Sequence, residues 1–166
     1  MRHSILKVDV TSQKVMGLRR TGRYEEIGSM IKEVFSCISE RRVSIIGPPA
    51  YICHEETLEE VQQAAESGNA DLEVAFPIEG DAEGCGEVFV YELSGGKMAR
   101  IIHMGPYRES IDTYHELFEY LAKNGLAVNG PIREVYINDP MTTEEDLLVT
   151  WIYAPIVDAP SHPSEG

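Results

Sequence analysis

Basic residues are scarce in this sequence of 166 residues. Lys and Arg number 14 against 28 Asp and Glu, which gives a net charge of −14 and an isoelectric point near 4.7. Binding to nucleic acid or to an anionic membrane needs a surplus of positive charge to neutralise phosphate, so neither partner is expected. The acidic balance is compatible with cationic ligands and, more simply, with a surface that keeps the protein soluble.

Cysteine is also rare: Cys37, Cys53 and Cys85 are an odd number and contain no C-x-x-C pair. Reduced thiols in a cytoplasmic protein are therefore expected. Cys37 lies beside apolar helix positions and Cys53 at a strand end, so both are interpreted as small apolar residues rather than nucleophiles. No stretch approaches the roughly 20 apolar residues of a membrane span, and no signal-peptide core follows the N-terminus.

Motifs for metals, cofactors and common nucleophiles are missing as well. His54-Glu55-Glu56 lacks the H-E-x-x-H spacing of zinc sites, and no Gly-x-Ser-x-Gly is present. The glycines of 79–87 lack phosphate-loop spacing, so this segment is interpreted as a linker. His103 could line a ligand site, although a structural histidine is the preferred interpretation. The sequence predicts no cofactor and no metal.

What the chain does contain is an internal repeat, in which the same offset separates every matching pair of residues. Such a repeat predicts an internal duplication. The first copy is predicted over 4–78 and the second over 88–156, within one domain of residues 1–157, and 158–166 is predicted to be a disordered tail. The matching pairs are Gly22 and Gly105, Tyr24 and Tyr107, Phe35 and Phe118, Ile38 and Leu121, Gly47 and Gly130, and Pro48 and Pro131.

Each copy is predicted to be a strand–strand–helix–strand–strand module. Apolar residues follow helical spacing between about 25 and 41, and Ser94-Gly-Gly-Lys97 predicts a tight turn within a hairpin. The first copy has an insert in which Thr57 and Glu60 form a capping box for a short acidic helix that stops near Gly68. The predicted fold class is α+β, with antiparallel sheets, pseudo-twofold symmetry and a central groove between the modules.

Four segments of the second copy carry a family resemblance. They resemble the GyrI-like family, the small-molecule effector-binding domain also found at the C-terminus of multidrug-responsive transcription activators. The resemblance covers 4–156 and implies a groove that binds bulky aromatic ligands, including cationic ones. No helix-turn-helix precedes Ser4, so it implies a stand-alone member. The segments are His103-Met-Gly-Pro-Tyr107, the helical run to Asn124-Gly125, Gly130-Pro-Ile-Arg-Glu-Val-Tyr136 and Leu148-Val-Thr-Trp-Ile-Tyr-Ala-Pro-Ile156.

One departure from the family pattern directs attention to Trp151, the single Trp of the chain. The resemblance implies a Glu at this position, as the carboxylate that binds cationic drugs. Aligning Pro77 with Pro155 places Glu73 opposite Trp151 in the first copy. The predicted ligand site combines this acid and indole with a wall of tyrosines: Tyr51, Tyr107, Tyr114, Tyr136 and Tyr153.

Three functions remain open for this set of residues. In the first, the aromatic rings stack on a flat small molecule and Glu73 neutralises its charge. In the second, Glu73 is a catalytic acid or base, because the resemblance includes hydrolases of cyclopropane-bearing electrophilic natural products. In the third, the acidic surface binds a basic protein, as the gyrase-inhibiting relatives suggest. A purely structural role, with Trp151 in the core and Glu73 at a solvated edge, competes with all three.

Overall fold

The computed structural model describes residues 4–160. It confirms the α+β fold class, with three α-helices and an antiparallel sheet. The helices are α1 (Ile27–Arg41), α2 (Leu58–Ser67) and α3 (Ser110–Lys123). The strands are β1 (Ile5–Val10), β2 (Gln13–Gly22), β3 (Ser44–Ile45), β4 (Ala50–Cys53), β5 (Ala70–Glu79), β6 (Phe89–Leu93), β7 (Gly96–Met104), β8 (Leu126–Val128), β9 (Ile132–Tyr136) and β10 (Val149–Asp158).

The strands form one 10-stranded sheet in the order β1-β7-β10-β9-β4-β5-β2-β6, with β3 added to β5 and β8 added to β10. The two central strands, β4 and β9, come one from each half of the chain and pair with each other. The sheet therefore continues across the boundary between the halves.

The hairpin predicted around Ser94-Gly-Gly-Lys97 does not form, and the equivalent strands of the first half do not pair with each other either. Strand β1 pairs with β7 and strand β6 pairs with β2, so each half places its first strand at the outer edge of the other half. The two connections, Thr11-Ser12 and Ser94-Gly95, cross in contact, and the Gly95 amide donates a hydrogen bond to Ser12 Oγ at 3.3 Å. A Cβ atom at Gly95 would lie 2.1 Å from the Val10 carbonyl oxygen, so only glycine fits this crossing.

The strand register relates the two halves in detail. Pro77 pairs with Val15, and Pro155 pairs with Met98, which is the counterpart of Val15 in the second copy. In the same way Glu73 pairs with Arg19 and Trp151 with Ile102, the counterpart of Arg19 at the same repeat offset. Glu73 and Trp151 thus hold equivalent positions in their strands, as the alignment of the two prolines predicts, and this register is consistent with the predicted duplication.

Two helices cover one face of the sheet and bury its apolar side chains. Alternate residues of β5 pack under α1, with Val34 and Ile38 among the contacts, while β7 and β10 pack under α3 around Leu117. The predicted insert helix is confirmed as α2, where Thr57 Oγ1 accepts the Glu60 amide at 3.1 Å. The helix ends at Gly68, which adopts a positive φ of 69°.

The prediction of three reduced thiols is wrong for two of them. Cys37 on α1 and Cys85, in the segment that joins the halves, form a disulfide with Cα atoms 5.9 Å apart. Cys53 is free and half-buried. The disulfide ties the joining segment to α1, a contact between residues 48 apart that the spacing of the cysteines did not indicate.

Strand β10 extends to Asp158, the first residue of the predicted tail, and 161–166 lie outside the described residues. Within residues 4–160, no helix has the length and hydropathy needed to cross a bilayer.

Candidate functional site

A groove lies on the helix-bearing face of the sheet, above the central strands β4 and β9. Tyr51 pairs directly with Glu134 at this position, and the two residues are counterparts at the repeat offset. The groove has a cavity volume of about 350 Å³ and is bounded by the N-terminal ends of α1 and α3 and by α2. We call this cavity the helix-side groove. The residues that line it include Tyr24, Ile27, Tyr51, Leu58, Tyr107, Ile111, Tyr114, Phe118 and Glu134.

The carboxylate of Glu134 lies at the floor of the helix-side groove and is held by tyrosine hydroxyls. The Tyr114 hydroxyl donates to one carboxylate oxygen, and the Tyr136 hydroxyl donates to the other at 3.0 Å. The Tyr107 ring packs against the Tyr136 ring with centroids 5.3 Å apart. Tyr51 is 3% exposed, and its hydroxyl has no hydrogen-bond partner among residues 4–160. Four of the predicted tyrosines therefore surround Glu134, an acid that was not among the predicted site residues.

Burial and the nearby carboxylate keep these tyrosines neutral. Burial is the main cause that raises the pKa of Tyr114 and of Tyr136, and the negative charge of Glu134 raises both further. The described wall of the groove contains no Arg, Lys or His. The carboxylate of Glu134 is thus compensated by neutral hydroxyl donors rather than by a cation, which leaves its charge available to a ligand.

A second acid, Glu55, lies at the rim of the helix-side groove. It accepts a hydrogen bond from the Tyr24 hydroxyl at 2.8 Å and another from the Asp71 amide at 3.1 Å. Cys53 lies in the same wall, and burial raises the pKa of its thiol to about 12. The thiol is therefore protonated at neutral pH and is unsuited to act as a nucleophile, in agreement with its interpretation as an apolar residue.

Glu73 lies on the opposite face of the sheet and is enclosed there. It is 6% exposed, with His54 Nε2 at 2.6 Å from one carboxylate oxygen and the Tyr91 hydroxyl donating to the other at 2.6 Å. Tyr91 covers it across Gly17, where a Cβ would lie 2.3 Å from the tyrosine hydroxyl oxygen. Glu73 does not line the helix-side groove, so it has no access to a ligand bound there.

Trp151 and Tyr153 also lie on the face away from the helices. They line a larger cavity of about 660 Å³, the sheet-side cleft, together with Arg100 and Arg133. The Arg100 guanidinium lies over the Trp151 ring, 4.6 Å from its centroid. The structure therefore brings Tyr51, Tyr107, Tyr114 and Tyr136 together, places Trp151 and Tyr153 in a different cavity, and separates Glu73 from both sets.

The position of Glu134 could have been read from the repeat. The constant offset makes Glu134 the counterpart of Tyr51, which is one of the predicted wall residues. Side chains alternate between the faces of a strand, so Glu134 and Tyr136 share one face. The family resemblance implies an acid at the Trp151 position instead, so it did not predict Glu134.

His103 has the structural role that was preferred from the sequence. It is 3% exposed, its Nδ1 lies 2.8 Å from Thr113 Oγ1, and its Nε2 lies 2.9 Å from the Pro106 carbonyl oxygen. A carbonyl oxygen can only accept a hydrogen bond, so the Nε2–H of His103 donates to Pro106. Residues 4–160 contain no group of three or more His, Cys, Asp or Glu arranged to hold a metal.

Comparison with solved structures identifies the same fold in several proteins of low sequence identity. The C-terminal domain of EcmrR superposes with a TM-score of 0.84 at 16% identity, over 96% of this chain and 100% of that chain. A hydrolase from Listeria innocua gives a TM-score of 0.67 at 14% identity, over 94% and 93% of the two chains. SAV2435, solved bound to tetraphenylphosphonium, gives 0.57 at 13% identity, over 95% and 94%.

A comparison with curated protein sequences gives no significant match. The family models do: residues 3–157 match the model of the GyrI-like small molecule binding domain. This match spans nearly the whole chain and agrees with the resemblance drawn from its second half. The chain belongs to the GyrI-like family of small-molecule binding domains.

Proposed function

We propose that the helix-side groove binds a bulky organic cation with aromatic or apolar substituents. The observation that carries the proposal is the carboxylate of Glu134, which lies in an aromatic cavity and is held by the hydroxyls of Tyr114 and Tyr136 without a basic partner in the described wall. A cation placed above this acid would gain charge attraction in a partly desolvated site.

The walls of the helix-side groove favour the same class of ligand. Rings from Tyr24, Tyr51, Tyr107, Tyr114 and Phe118 present faces and edges to the cavity. Aromatic faces attract cations by roughly 0.5–2 kcal/mol each, and they also pack against flat rings. The volume of about 350 Å³ suits a molecule of several rings.

The mouth of the groove offers apolar surface that a ligand would cover. Leu58 is 39% exposed, Tyr107 39% and Ile111 48%, and all three line the cavity. Burial of apolar surface contributes roughly 25 cal/mol per Å², so contact with these side chains would add affinity without specific hydrogen bonds. This combination of carboxylates and an apolar rim supports binding of several related cations.

Titration with tetraphenylphosphonium by calorimetry tests the proposal, with triphenylphosphine oxide as a neutral compound of similar bulk. Glu134→Gln keeps the size of the side chain and removes its charge. At an effective dielectric constant near 20, one charge pair about 5 Å apart is worth roughly 3 kcal/mol, so we expect the cation to bind on the order of 100-fold more weakly. Binding of the neutral compound should change little.

The matched control is Glu73→Gln, which alters another acid that accepts a tyrosine hydroxyl but lies on the opposite face. This variant should bind the cation as the unmodified protein does. Equal affinity of the unmodified protein and Glu134→Gln for the cation would contradict the proposal. A loss in Glu73→Gln alone would place the site on the other face of the sheet.

A hydrolytic role for the same groove can be distinguished from simple binding by whether the ligand is chemically changed. A carboxylate with two phenol donors could assist addition of water to a strained electrophile held in the cavity. Mass spectrometry after incubation with a cyclopropane-bearing electrophile distinguishes the roles, because a binder returns the intact compound and a hydrolase returns the water adduct. The adduct should then require Glu134 rather than Glu73.

A further inference from the structure

The sheet-side cleft is a second concave site, and its charge is opposite to that of the helix-side groove. Arg100 and Arg133 both line it, and the acid among its described lining residues is Asp9, which is exposed on the edge strand β1. At Trp151, where the family resemblance implied a carboxylate for cations, this chain has an indole beside a guanidinium.

The strand register fixes the two arginines on either side of one ring. Tyr153 pairs with Arg100 on β7 and with Arg133 on β9, so the three side chains form a row across neighbouring strands on one face. Adjacent strands are about 4.8 Å apart, which places the two arginine Cα atoms roughly 10 Å from each other. Trp151 precedes Tyr153 by two residues on β10, so its side chain lies on the same face of the sheet.

Neither guanidinium has a full set of partners within residues 4–160. Arg100 contacts the Trp151 ring, and its Nε is buried without a hydrogen bond. Arg133 donates to the Ser94 carbonyl oxygen, and burial lowers its pKa even though the charge of Glu73 opposes this effect. Guanidinium groups have five donors in a planar fork, so unused donors in a concave site favour an oxyanion.

The floor of the sheet-side cleft is apolar. Val15, Ala50 and Ala75 belong to one buried apolar cluster, and Pro77, Met98 and Val135 also line the cleft. A volume of about 660 Å³ leaves room for a ring system beside the two charges. A flat ring would contact the apolar floor and the face of Trp151.

We propose that the sheet-side cleft binds a small aromatic carboxylate, with its oxyanion between Arg100 and Arg133 and its ring against Trp151. This site is separate from the helix-side groove and takes a ligand of opposite charge. The net charge of −14 opposes a free anion at long range, but salt screens that field within about 10 Å, whereas the two guanidinium groups act at contact distance.

The single Trp provides a direct reporter for this site. The indole N–H of Trp151 gives one cross-peak in a ¹H–¹⁵N spectrum, and titration with 2-naphthoate should shift it in a saturable way. The neutral isostere 2-naphthamide should bind at least 10-fold more weakly, and affinity for naphthoate should fall as salt is raised. Equal affinity for the two compounds, or no shift with either, would overturn the proposal.

Two substitutions at one position separate charge from packing. Arg133→Gln should weaken naphthoate binding at least 10-fold, while Arg133→Lys should retain part of it because the charge remains without the planar fork. If Arg133→Gln binds naphthoate as the unmodified protein does, the assigned role of the guanidinium is wrong. Should that variant fail to fold, the naphthoate and naphthamide titrations of the unmodified protein still decide the question.

Glu134→Gln keeps the outcome independent of the helix-side groove. It should leave the naphthoate titration unchanged, because it alters the other face of the sheet, while it weakens binding of the aromatic cation. Loss of naphthoate binding in Glu134→Gln would contradict a separate anion site. Loss of cation binding in Glu134→Gln with naphthoate binding intact supports both sites. If the unmodified protein does not bind the cation, only the helix-side proposal is wrong; if it does not bind naphthoate, only the sheet-side proposal is wrong.

Discussion

Removal of the Tyr51 hydroxyl should stabilise the protein. Tyr51 is 3% exposed, and its hydroxyl has no hydrogen-bond partner among the described residues. Burial raises its pKa well above the ordinary value, so the group is a neutral donor at any physiological pH. A buried hydroxyl without a partner is a cost that the folded state bears, and Tyr51→Phe removes it.

The expected gain follows from the cost of leaving a buried polar group unpaired, about 1–3 kcal/mol. For a chain of this length each kcal/mol shifts the melting temperature by roughly 2–4 °C, so Tyr51→Phe should melt about 2–12 °C higher. The matched control is Tyr136→Phe, which deletes a hydroxyl that donates to Glu134 at 3.0 Å. That variant loses a hydrogen bond to a charged group and should be destabilised by about 1.5–3 kcal/mol.

Thermal and urea unfolding followed by circular dichroism provide the measurement. If Tyr51→Phe is less stable than the unmodified protein, the hydroxyl has a partner in solution and the reasoning fails. Equal effects of the two substitutions would also refute it.

Two further predictions concern the fold. Gly95→Ala should lower the free energy of unfolding by about 2–4 kcal/mol, since its Cβ would lie 2.1 Å from a backbone oxygen. Gly28 lies on the exposed surface of α1 with nothing within 4 Å of an added Cβ, so Gly28→Ala should raise the free energy of unfolding by up to about 1 kcal/mol. Equal urea midpoints for the two variants would contradict this contrast. Iodoacetamide at pH 8 should label no cysteine in the native protein, because the raised pKa of Cys53 keeps its thiol protonated below about pH 12. It should label one cysteine after unfolding without reductant and three cysteines after unfolding with reductant. Mass spectrometry that finds three labelled cysteines without reductant would exclude the disulfide.

Local patterns were sufficient to predict the helices and the fold class. The apolar spacing between about 25 and 41 predicted α1 closely, because helical periodicity is a property of neighbouring residues. Thr57 and Gly68 marked the ends of α2 in the same way, through capping chemistry that is complete within a few residues. The constant offset then carried the plan of one half onto the other.

Local sequence patterns did not predict which distant strands pair with each other. The turn residues around Ser94-Gly95 predicted a hairpin, yet the chain continues through them and β6 joins the other half. The disulfide of Cys37 with Cys85 depends on the same long-range arrangement. An apolar alternation predicts that a segment is a strand, but it does not contain the identity of the neighbouring strand.

The candidate site was predicted in part for a related reason. Tyr51, Tyr107, Tyr114 and Tyr136 were selected as a wall, and the structure places them around one acid. Glu73 was selected by its equivalence to Trp151, and that equivalence holds in the register. Equivalent positions share a strand face, however, and both lie on the face away from the helices. The alternation of side chains along β5, β9 and β10 assigns each residue to one face of the sheet. On that basis the acid predicted beside the tyrosines is Glu134 and not Glu73.

The exchanged strands have a consequence for how the chain is made. Strands β1 and β6 are the two ends of the sheet, and each needs its partner from the other half, so neither half contains a complete sheet. During synthesis the first half remains without its outer strand until residues 89–93 have left the ribosome. Such dependence on distant segments slows folding and delays commitment to the final structure. The arrangement resembles a domain-swapped dimer whose two subunits were joined into one polypeptide, so that the exchange became obligatory.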